Sequence, residues 1–130
     1  PVRGQVLRIR AQPGLPCLVD DHGPNALSYI IPRTEDVILG GTAEPGEESL
    51  VTDEQKTEAI LHRCRQLTAG LENIELLSAT AGLRPARSSI RLERESGRRL
   101  IHNYGHGGAG FTVSWGCAEE VVDLVKAMSC

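Results

Sequence analysis

The residues whose types and spacing most suggest chemistry lie between Ile101 and Gly116, which read IHNYGHGGAGFTVSWG. Four glycines fall within six positions there, at 105, 107, 108 and 110. Glycine has no Cβ, so its backbone amides can approach a ligand closely. A hairpin-like segment precedes the glycines and a helix-like segment follows, and a helix start offers free N–H groups and a positive dipole end. The stretch predicts either a corner for an electron-rich part of a cofactor or substrate, or a tight strand-to-helix turn without a ligand.

Two side chains outside this stretch could bind an anionic substrate. Arg84 stands between Gly82 and Pro85 at a predicted strand end, and a fixed guanidinium binds a carboxylate through two parallel charge-assisted hydrogen bonds. Tyr29 begins an apolar strand after a polar loop, where its phenol could donate to a ligand carboxylate. The alternatives are an arginine in a surface ion pair and a tyrosine that packs in the core or at its rim.

Three side chains belong to the glycine-rich stretch itself. Tyr104 and Trp115 are expected to pack, because aromatic side chains beside glycine turns commonly fill the space that the glycines leave. His106 could either serve the site or cap the turn.

Other catalytic and metal-binding patterns are missing from the sequence. It has no Ser-His-Asp order, no promising carboxylate pair and no phosphate-binding loop, so no catalytic acid, base or nucleophile is predicted. The four cysteines are scattered without a CxxC pair, and the four histidines form no HxH or HExxH pattern, so no metal site is expected. Scattered thiols of this kind favour free cysteines in a cytoplasmic protein.

The length and the charge of the chain limit its number of domains and the partners that we expect. A chain of 130 residues suggests one domain with a real core. The net charge of −3 gives no bulk attraction to nucleic acid or anionic lipid. No apolar run is long enough to span a bilayer, so no membrane partner is expected. Because the first residue is Pro1, we expect a processed, trimmed or excised piece of a longer protein.

The hydrophobic pattern predicts an α+β fold with a mainly antiparallel or mixed sheet and two principal helices. The first helix follows a capping box formed by Thr52 and Gln55 and ends near Gly70. The second spans Val113 to Met128 and has an apolar side that needs a partner surface. The predicted strands, in chain order, are Gln5–Ala11 with Cys17–Asp20 as its partner, the hairpin Ser28–Pro32 and Asp36–Gly40, Asn73–Thr80 with a break at 81–85, and the hairpin Ile90–Glu95 and Arg99–Tyr104.

Two of these elements show a clear periodicity. In the first strand, side chains alternate between two faces, as in a half-buried strand, with Gln5, Leu7 and Ile9 on one face. The first helix carries an apolar stripe at helical spacing, formed by Ile60, Cys64, Leu67 and Leu71.

Several of these segments resemble the D-amino-acid oxidase family. Gly82 to Glu95 (GLRPARSSIRLERE) and Ile101 to Leu124 (IHNYGHGGAGFTVSWGCAEEVVDL) are similar to the C-terminal part of that family. Tyr29 to Thr42 (YIIPRTEDVILGGT) resembles the hairpin of its substrate domain, and Arg3 to Gln5 resembles the start of that domain. The resemblance implies that residues 1–130 are a substrate-binding domain with a C-terminal flavin-contacting turn and helix.

The family resemblance also implies a reaction. In this family FAD accepts a hydride from the α-carbon of a D-amino acid, the imino acid hydrolyses to a keto acid and ammonia, and oxygen reoxidises the flavin with formation of hydrogen peroxide. The flavin performs the chemistry while the protein orients the substrate. No dedicated acid–base residue is needed.

The resemblance implies a role for each site residue. Arg84 would bind the substrate carboxylate, Tyr29 would donate a second hydrogen bond to it, and the carbonyl of Gly108 would accept from the substrate amine. The helix start beyond the glycines would stabilise negative charge on the reduced flavin. The residues that would line the flavin are Gly107, Gly108, Ala109, Gly110, Phe111 and Thr112.

This chain departs from the family pattern, and the differences change the activity and the substrate that we expect. The N-terminal dinucleotide-binding half with its GxGxxG motif is absent from these residues, so we expect the isolated chain to be inactive and that half to be its partner. The loop before Tyr29 is short, with Asn25 near the position of a lid tyrosine in vertebrate members. Arg33 is the only arginine near the hairpin, whereas members acting on acidic substrates have more, which favours neutral D-amino acids.

Two other functions fit the same residues. A flavin amine oxidase that acts on glycine or N-methyl amino acids such as sarcosine would share the carboxylate-binding arginine. A non-catalytic α+β module that holds no flavin and self-associates, for example as a homodimer, would explain the absent half and the apolar last helix.

Overall fold

The computed structural model describes residues 1–22 and 27–128; Asn25 lies outside them. The fold is α+β, as predicted, with two helices and eight strands among the described residues. The chain separates into two compact units, Arg3–Leu83 and a second unit formed by Pro1–Val2 and Arg84–Cys130. In chain order the elements are β1 (Val2–Arg10), β2 (Leu18–Asp20), β3 (Ser28–Pro32), β4 (Asp36–Gly40), β5 (Glu44–Pro45), α1 (Glu54–Leu67), β6 (Leu76–Arg84), β7 (Ala86–Arg94), β8 (Ile101–His106) and α2 (Ser114–Met128).

The first unit is built on a sheet with the strand order β2-β3-β4-β1-β5, in which β6 also pairs with β1. The pairs β2–β3, β3–β4 and β4–β1 are antiparallel. The predicted alternation in β1 is confirmed, because Gln5, Leu7 and Ile9 are all buried. The predicted partner of β2 is wrong: β1 already pairs with β4, β5 and β6, so β2 pairs with β3 instead.

Helix α1 begins one residue later than the capping box predicts. Asp53 is the cap, and its carboxylate accepts from the backbone N–H groups of Gln55 and Lys56 at 2.8 and 3.2 Å. The Gln5 side chain accepts from the Asp53 N–H at 2.9 Å and donates to the Asp53 carbonyl at 2.9 Å. This contact with β1 holds residue 53 in the extended conformation that a cap needs. The helix ends at Leu67, before Gly70.

The core of the first unit lies where α1 packs on β3 and β4. Two residues of the predicted helical stripe, Ile60 and Cys64, are buried. The Arg3 guanidinium is also buried, with 1% of the residue exposed. It donates to the Glu44 carboxylate at 3.0 Å and to the carbonyls of Ser49 and Val51 at 2.6 Å each. The apolar core residues are Leu7, Ile9, Ile30, Val37, Leu39, Ile60, Cys64 and Leu71.

Strand β6 extends further than the sequence predicts. The Ala81–Pro85 segment was expected to break the strand, but β6 continues through Gly82 to Arg84. Gly82 adopts no left-handed conformation here, so the glycine does not interrupt the strand. Pro85 follows its last residue, and proline has no N–H to donate to a neighbouring strand.

The second unit contains the predicted hairpin, the glycine-rich turn and the last helix. Strands β7 and β8 are antiparallel. β7 begins earlier and is longer than predicted, whereas β8 has the predicted length but lies two residues further along the chain. The residues Gly107–Ala109 form one 3₁₀ turn, and α2 then begins at Ser114 and contacts β7 and β8. No helix among the described residues is long and apolar enough to cross a bilayer.

Candidate functional site

Arg84 and Gly108 lie next to each other in the second unit. Arg84 is the last residue of β6, and the carbonyl of the following Pro85 accepts from the Gly107 N–H at 3.0 Å. A Cβ at Gly108 would lie 3.5 Å from Arg84 Cδ and 3.6 Å from Arg84 Nε. The stem of the arginine therefore passes along the bare backbone of Gly108. The structure thus brings together the two residues of this unit that the sequence assigns to the substrate.

Two glycines of the turn have conformations that other residues rarely adopt. Gly105 has a φ of +92° and Gly107 a φ of +57°, in the left-handed region that favours glycine. A Cβ at Gly105 would lie only 2.7 Å from Arg87 Cδ. The space left by this glycine is therefore filled by an arginine stem, not by a ligand.

The residues assigned to the flavin form an exposed turn. Gly108, Ala109, Phe111 and Thr112 are all exposed, and Phe111 is 95% exposed. The turn is closed by a hydrogen bond from the Val113 N–H to the Ala109 carbonyl at 3.1 Å. With no Cβ at 108 and an open backbone beside it, the turn fits the edge of a planar ring system such as a flavin.

Tyr104 lies between two arginines on the β7–β8 hairpin. The guanidinium carbons of Arg87 and Arg91 lie 5.2 and 5.9 Å from the centre of its ring, within the range of cation–π attraction. Arg91 Nη1 donates to the phenol oxygen at 3.1 Å. This hydrogen bond is the main reason that the pKa of Tyr104 lies below its ordinary range. Packing of Tyr104 was predicted, although arginines, not apolar groups, cover it.

Two further predictions concern the end of the turn. His106 was expected either to serve the site or to cap the turn, and its Nε2 lies 3.4 Å from the Sγ of Cys117 on α2. Trp115 was expected to pack beside the glycines. That prediction is wrong for this chain, because Trp115 is 87% exposed.

Tyr29 belongs to the first unit, where it packs on a glycine pair. It is paired with Gly40 across β3 and β4. A Cβ at Gly40 would overlap the Tyr29 ring, and one at Gly41 would lie 2.9 Å from its hydroxyl oxygen. An aromatic ring that covers a glycine on a neighbouring strand is a recurrent way to stabilise such a pair. The ring therefore depends on glycine at both positions.

Helix α1 supports this pair from the core. The Cys64 thiol donates to the carbonyls of Tyr29 and Gly40, with the sulfur 3.6 Å from each oxygen. Burial raises the pKa of the Cys64 thiol, so it stays a neutral donor at neutral pH. The local sequence pattern does not predict these supporting residues. One sequence feature could have indicated them. Two consecutive glycines, Gly40 and Gly41, stand at the end of the second strand of the predicted hairpin, and Tyr29 stands at the start of the first.

The roles of Arg84, Tyr29, Gly108 and the turn residues stay predictions, since the structure fixes only where these residues lie within each unit. Among residues 1–22 and 27–128, no group of three or more His, Cys, Asp or Glu side chains could hold a metal ion.

Comparison with known proteins gives one family. The model of the FAD dependent oxidoreductase family matches residues 1–124. D-amino-acid oxidase of Rubrobacter xylanophilus is 50% identical over 131 residues, covering 98% of this chain and 40% of that relative. D-amino-acid oxidase of Streptomyces coelicolor is 43% identical, covering 97% of this chain and 41% of that relative. Human D-aspartate oxidase is 40% identical, covering 97% of this chain and 38% of that relative.

A solved structure agrees with the sequence relatives. Glycine oxidase from Geobacillus kaustophilus superposes with a TM-score of 0.82 at 26% identity, covering 98% of this chain and 35% of that one. The chain thus spans about two fifths of the length of the curated relatives it matches. Since the family model covers all but the last few residues, the chain belongs to the family of FAD-dependent oxidoreductases that includes the D-amino-acid oxidases.

Proposed function

We propose that this chain is the substrate-binding part of a longer flavoenzyme that oxidises neutral D-amino acids. The products are imino acids, which hydrolyse to keto acids and ammonia, and hydrogen peroxide. The observation that carries the proposal is Arg84, whose stem passes along the bare backbone of Gly108 at the turn that the family resemblance assigns to the flavin. D-amino-acid oxidases are also prominent among the relatives.

Each residue of the proposed site has a physical task. The Arg84 guanidinium binds the substrate carboxylate through two hydrogen bonds and so fixes the orientation of the amino acid. Tyr29 donates a hydrogen bond to the substrate carboxylate, and the carbonyl of Gly108 accepts one from the amine. FAD, when bound, supplies the two-electron oxidation at the α-carbon. Its ring is proposed to lie against Gly107, Gly108, Ala109, Gly110, Phe111 and Thr112.

The preference for neutral substrates is supported by Arg33. An acidic side chain would need a second cation near the β3–β4 hairpin, and Arg33 is the nearest arginine in sequence. Its Nε and Nη2 donate to the two carboxylate oxygens of Asp36 at 2.6 and 2.7 Å. This pairing is the main reason that the pKa of Asp36 lies below its ordinary range. The guanidinium is therefore already neutralised by a residue of its own hairpin.

The remaining part of the longer protein is the proposed partner of α2. Apolar side chains along this helix and the turn before it are exposed, and no residue of α2 is buried. The relatives are about two and a half times as long as this chain, since it covers 40% of the first of them. We propose that their dinucleotide-binding part covers this apolar surface, formed by Phe111, Trp115, Val122 and Val125.

Glycine oxidation is the second candidate, because glycine oxidase shares this fold with a TM-score of 0.82. The test measures peroxide formation by the longer protein with D-alanine, D-aspartate, glycine and sarcosine side by side. We expect D-alanine to give the highest kcat/KM and D-aspartate a much lower one. A higher kcat/KM for glycine or sarcosine would select the second candidate, and no peroxide from any of the four would overturn both.

A further inference from the structure

Arg63 on α1 contacts β3 and the residue that directly follows β4, on either side of the Tyr29–Gly40 pair. Its Nη2 donates to the Gly41 carbonyl at 2.7 Å, and its Nε donates to the Ser28 hydroxyl at 3.2 Å. Ser28 directly precedes Tyr29 and is fully buried, while Gly41 directly follows Gly40. One guanidinium therefore holds the residue on each side of the pair.

The neighbouring contacts leave little freedom for the Tyr29 backbone. The Gly41 N–H donates to the Leu27 carbonyl at 2.8 Å, and the Cys64 thiol lies beneath the carbonyls of Tyr29 and Gly40. The Tyr29 ring in turn rests on Gly40 and Gly41. A change in the Gly41 peptide would therefore move the surface on which the phenol lies.

We propose that Arg63 is a positioning residue that fixes the phenol of Tyr29 by holding Gly41 and Ser28 together. The inference rests on the proposed function only in taking Tyr29 as a substrate contact. Arginine suits this task because its planar fork donates in two fixed directions, whereas lysine is a flexible point charge. Lysine could replace one of the two hydrogen bonds but not their relative geometry.

The test uses fluorine NMR of the 130-residue chain labelled with 3-fluorotyrosine. The chain has two tyrosines, Tyr29 and Tyr104, so Tyr29→Phe assigns the two signals. The variants are Arg63→Gln and Arg63→Lys. Arg65→Gln is the matched control, because Arg65 lies on the same helix but its Nε donates to the Leu71 carbonyl at 2.9 Å. Circular dichroism reports whether each variant keeps its helices.

We expect Arg63→Gln to shift and broaden the Tyr29 signal while the Tyr104 signal stays in place. Arg63→Lys should give an intermediate shift, and Arg65→Gln none. An unshifted Tyr29 signal in folded Arg63→Gln, or an equal shift in Arg65→Gln, would overturn the proposal. If Arg63→Gln loses its helical circular dichroism signal, the test rests on Arg63→Lys. A wild-type Tyr29 fluorine signal in Arg63→Lys would then overturn the positioning role. The experiment needs neither flavin nor substrate, so its outcome is independent of the oxidase assay.

Discussion

Among the residues that the structure describes, Gly40, Gly105 and Gly108 each lie against a large side chain. Tyr29 lies on Gly40, Arg84 runs along Gly108, and Arg87 fills the space beside Gly105. At Gly40 and Gly105 an added Cβ would collide with that side chain, whereas at Gly108 it would lie at ordinary contact distance from Arg84. The glycine that precedes the predicted flavin turn, Gly105, is explained by packing, whereas Gly108 combines contact with Arg84 and an exposed backbone.

Gly40→Ala should displace Tyr29 and destabilise the first unit. The added Cβ would overlap the Tyr29 ring, and forcing extra atoms into a filled space costs about 1–3 kcal/mol. Gly82→Ala is the control, because a Cβ at Gly82 meets nothing within 4 Å, and such changes stay within about 0.5 kcal/mol. Urea unfolding of the two variants measures the difference. Equal stability of both variants would show that Tyr29 does not need the bare backbone of Gly40.

At the scale of the element, the start of α1 is joined to β1 through polar side chains, of which Arg3 and Gln5 are buried. Gln5 holds Asp53, while Arg3 and Lys56 both bind Glu44. Glu44 and Lys56 are half-buried, with 21% and 36% of their side chains exposed. The position of the helix start therefore depends on side chains from the first strand as well as on its own cap.

Low pH should weaken the contacts that Glu44 makes between β1 and the start of α1. The pKa of Glu44 lies below its ordinary range. The hydrogen bond from Lys56 is the largest cause, and Thr42 and Arg3 also lower it. Because the folded chain holds this carboxyl ionised more strongly than the unfolded chain does, the resulting stability is present above the ordinary glutamate pKa of about 4.3. It is lost as the pH falls through that value towards the lower pKa of the folded state.

The check is urea unfolding of the wild type and Glu44→Gln from pH 6 to pH 3. We expect Glu44→Gln to be the less stable of the two at pH 6 and the gap to close as the pH falls. Lys56→Gln should reduce the dependence on pH in the same window. A gap between wild type and Glu44→Gln that stays constant with pH would mean that Glu44 titrates alike in the folded and unfolded chains.

At the scale of the whole molecule, the sequence predicted local elements better than their partners. The alternation of β1 and the stripe of Ile60 and Cys64 are local patterns, and both are confirmed. The partner of β2 and the cap at Asp53 depend on contacts between distant residues, so local patterns gave the wrong partner and the wrong cap.

The candidate site, too, could be predicted from local patterns only in part. Residue types alone left Arg84 and Tyr29 with structural alternatives, and only the family resemblance linked them to one substrate. The support from Arg63 could not be predicted, because Arg63 lies 35 positions from Ser28 and 22 positions from Gly41 in the chain. Its sequence context is that of an ordinary helix arginine.

Trp115 should report whether the proposed partner surface on α2 is covered. It is the only tryptophan in the chain and is 87% exposed, so iodide should quench its fluorescence freely in the isolated chain. In the longer protein we expect a blue-shifted and protected emission, because apolar cover removes water from the indole. Protection that appears in the isolated chain and rises with its concentration would instead indicate self-association, as in the predicted homodimer.

The proposed function depends most directly on Arg84, which is proposed to bind the carboxylate of the substrate. The direct measurement is a cycle of kcat/KM values for the longer protein and its Arg84→Ala variant, each with D-alanine and with D-alaninamide, which lacks the carboxylate. Removing one partner of a hydrogen-bonded ion pair costs about 3–5 kcal/mol. The preference for D-alanine should therefore fall by about 100-fold or more in Arg84→Ala. Arg98→Ala is the control, because Arg98 belongs to the same unit but lies in the exposed turn of the β7–β8 hairpin, and it should keep the wild-type preference. An unchanged preference for D-alanine in Arg84→Ala would contradict the account.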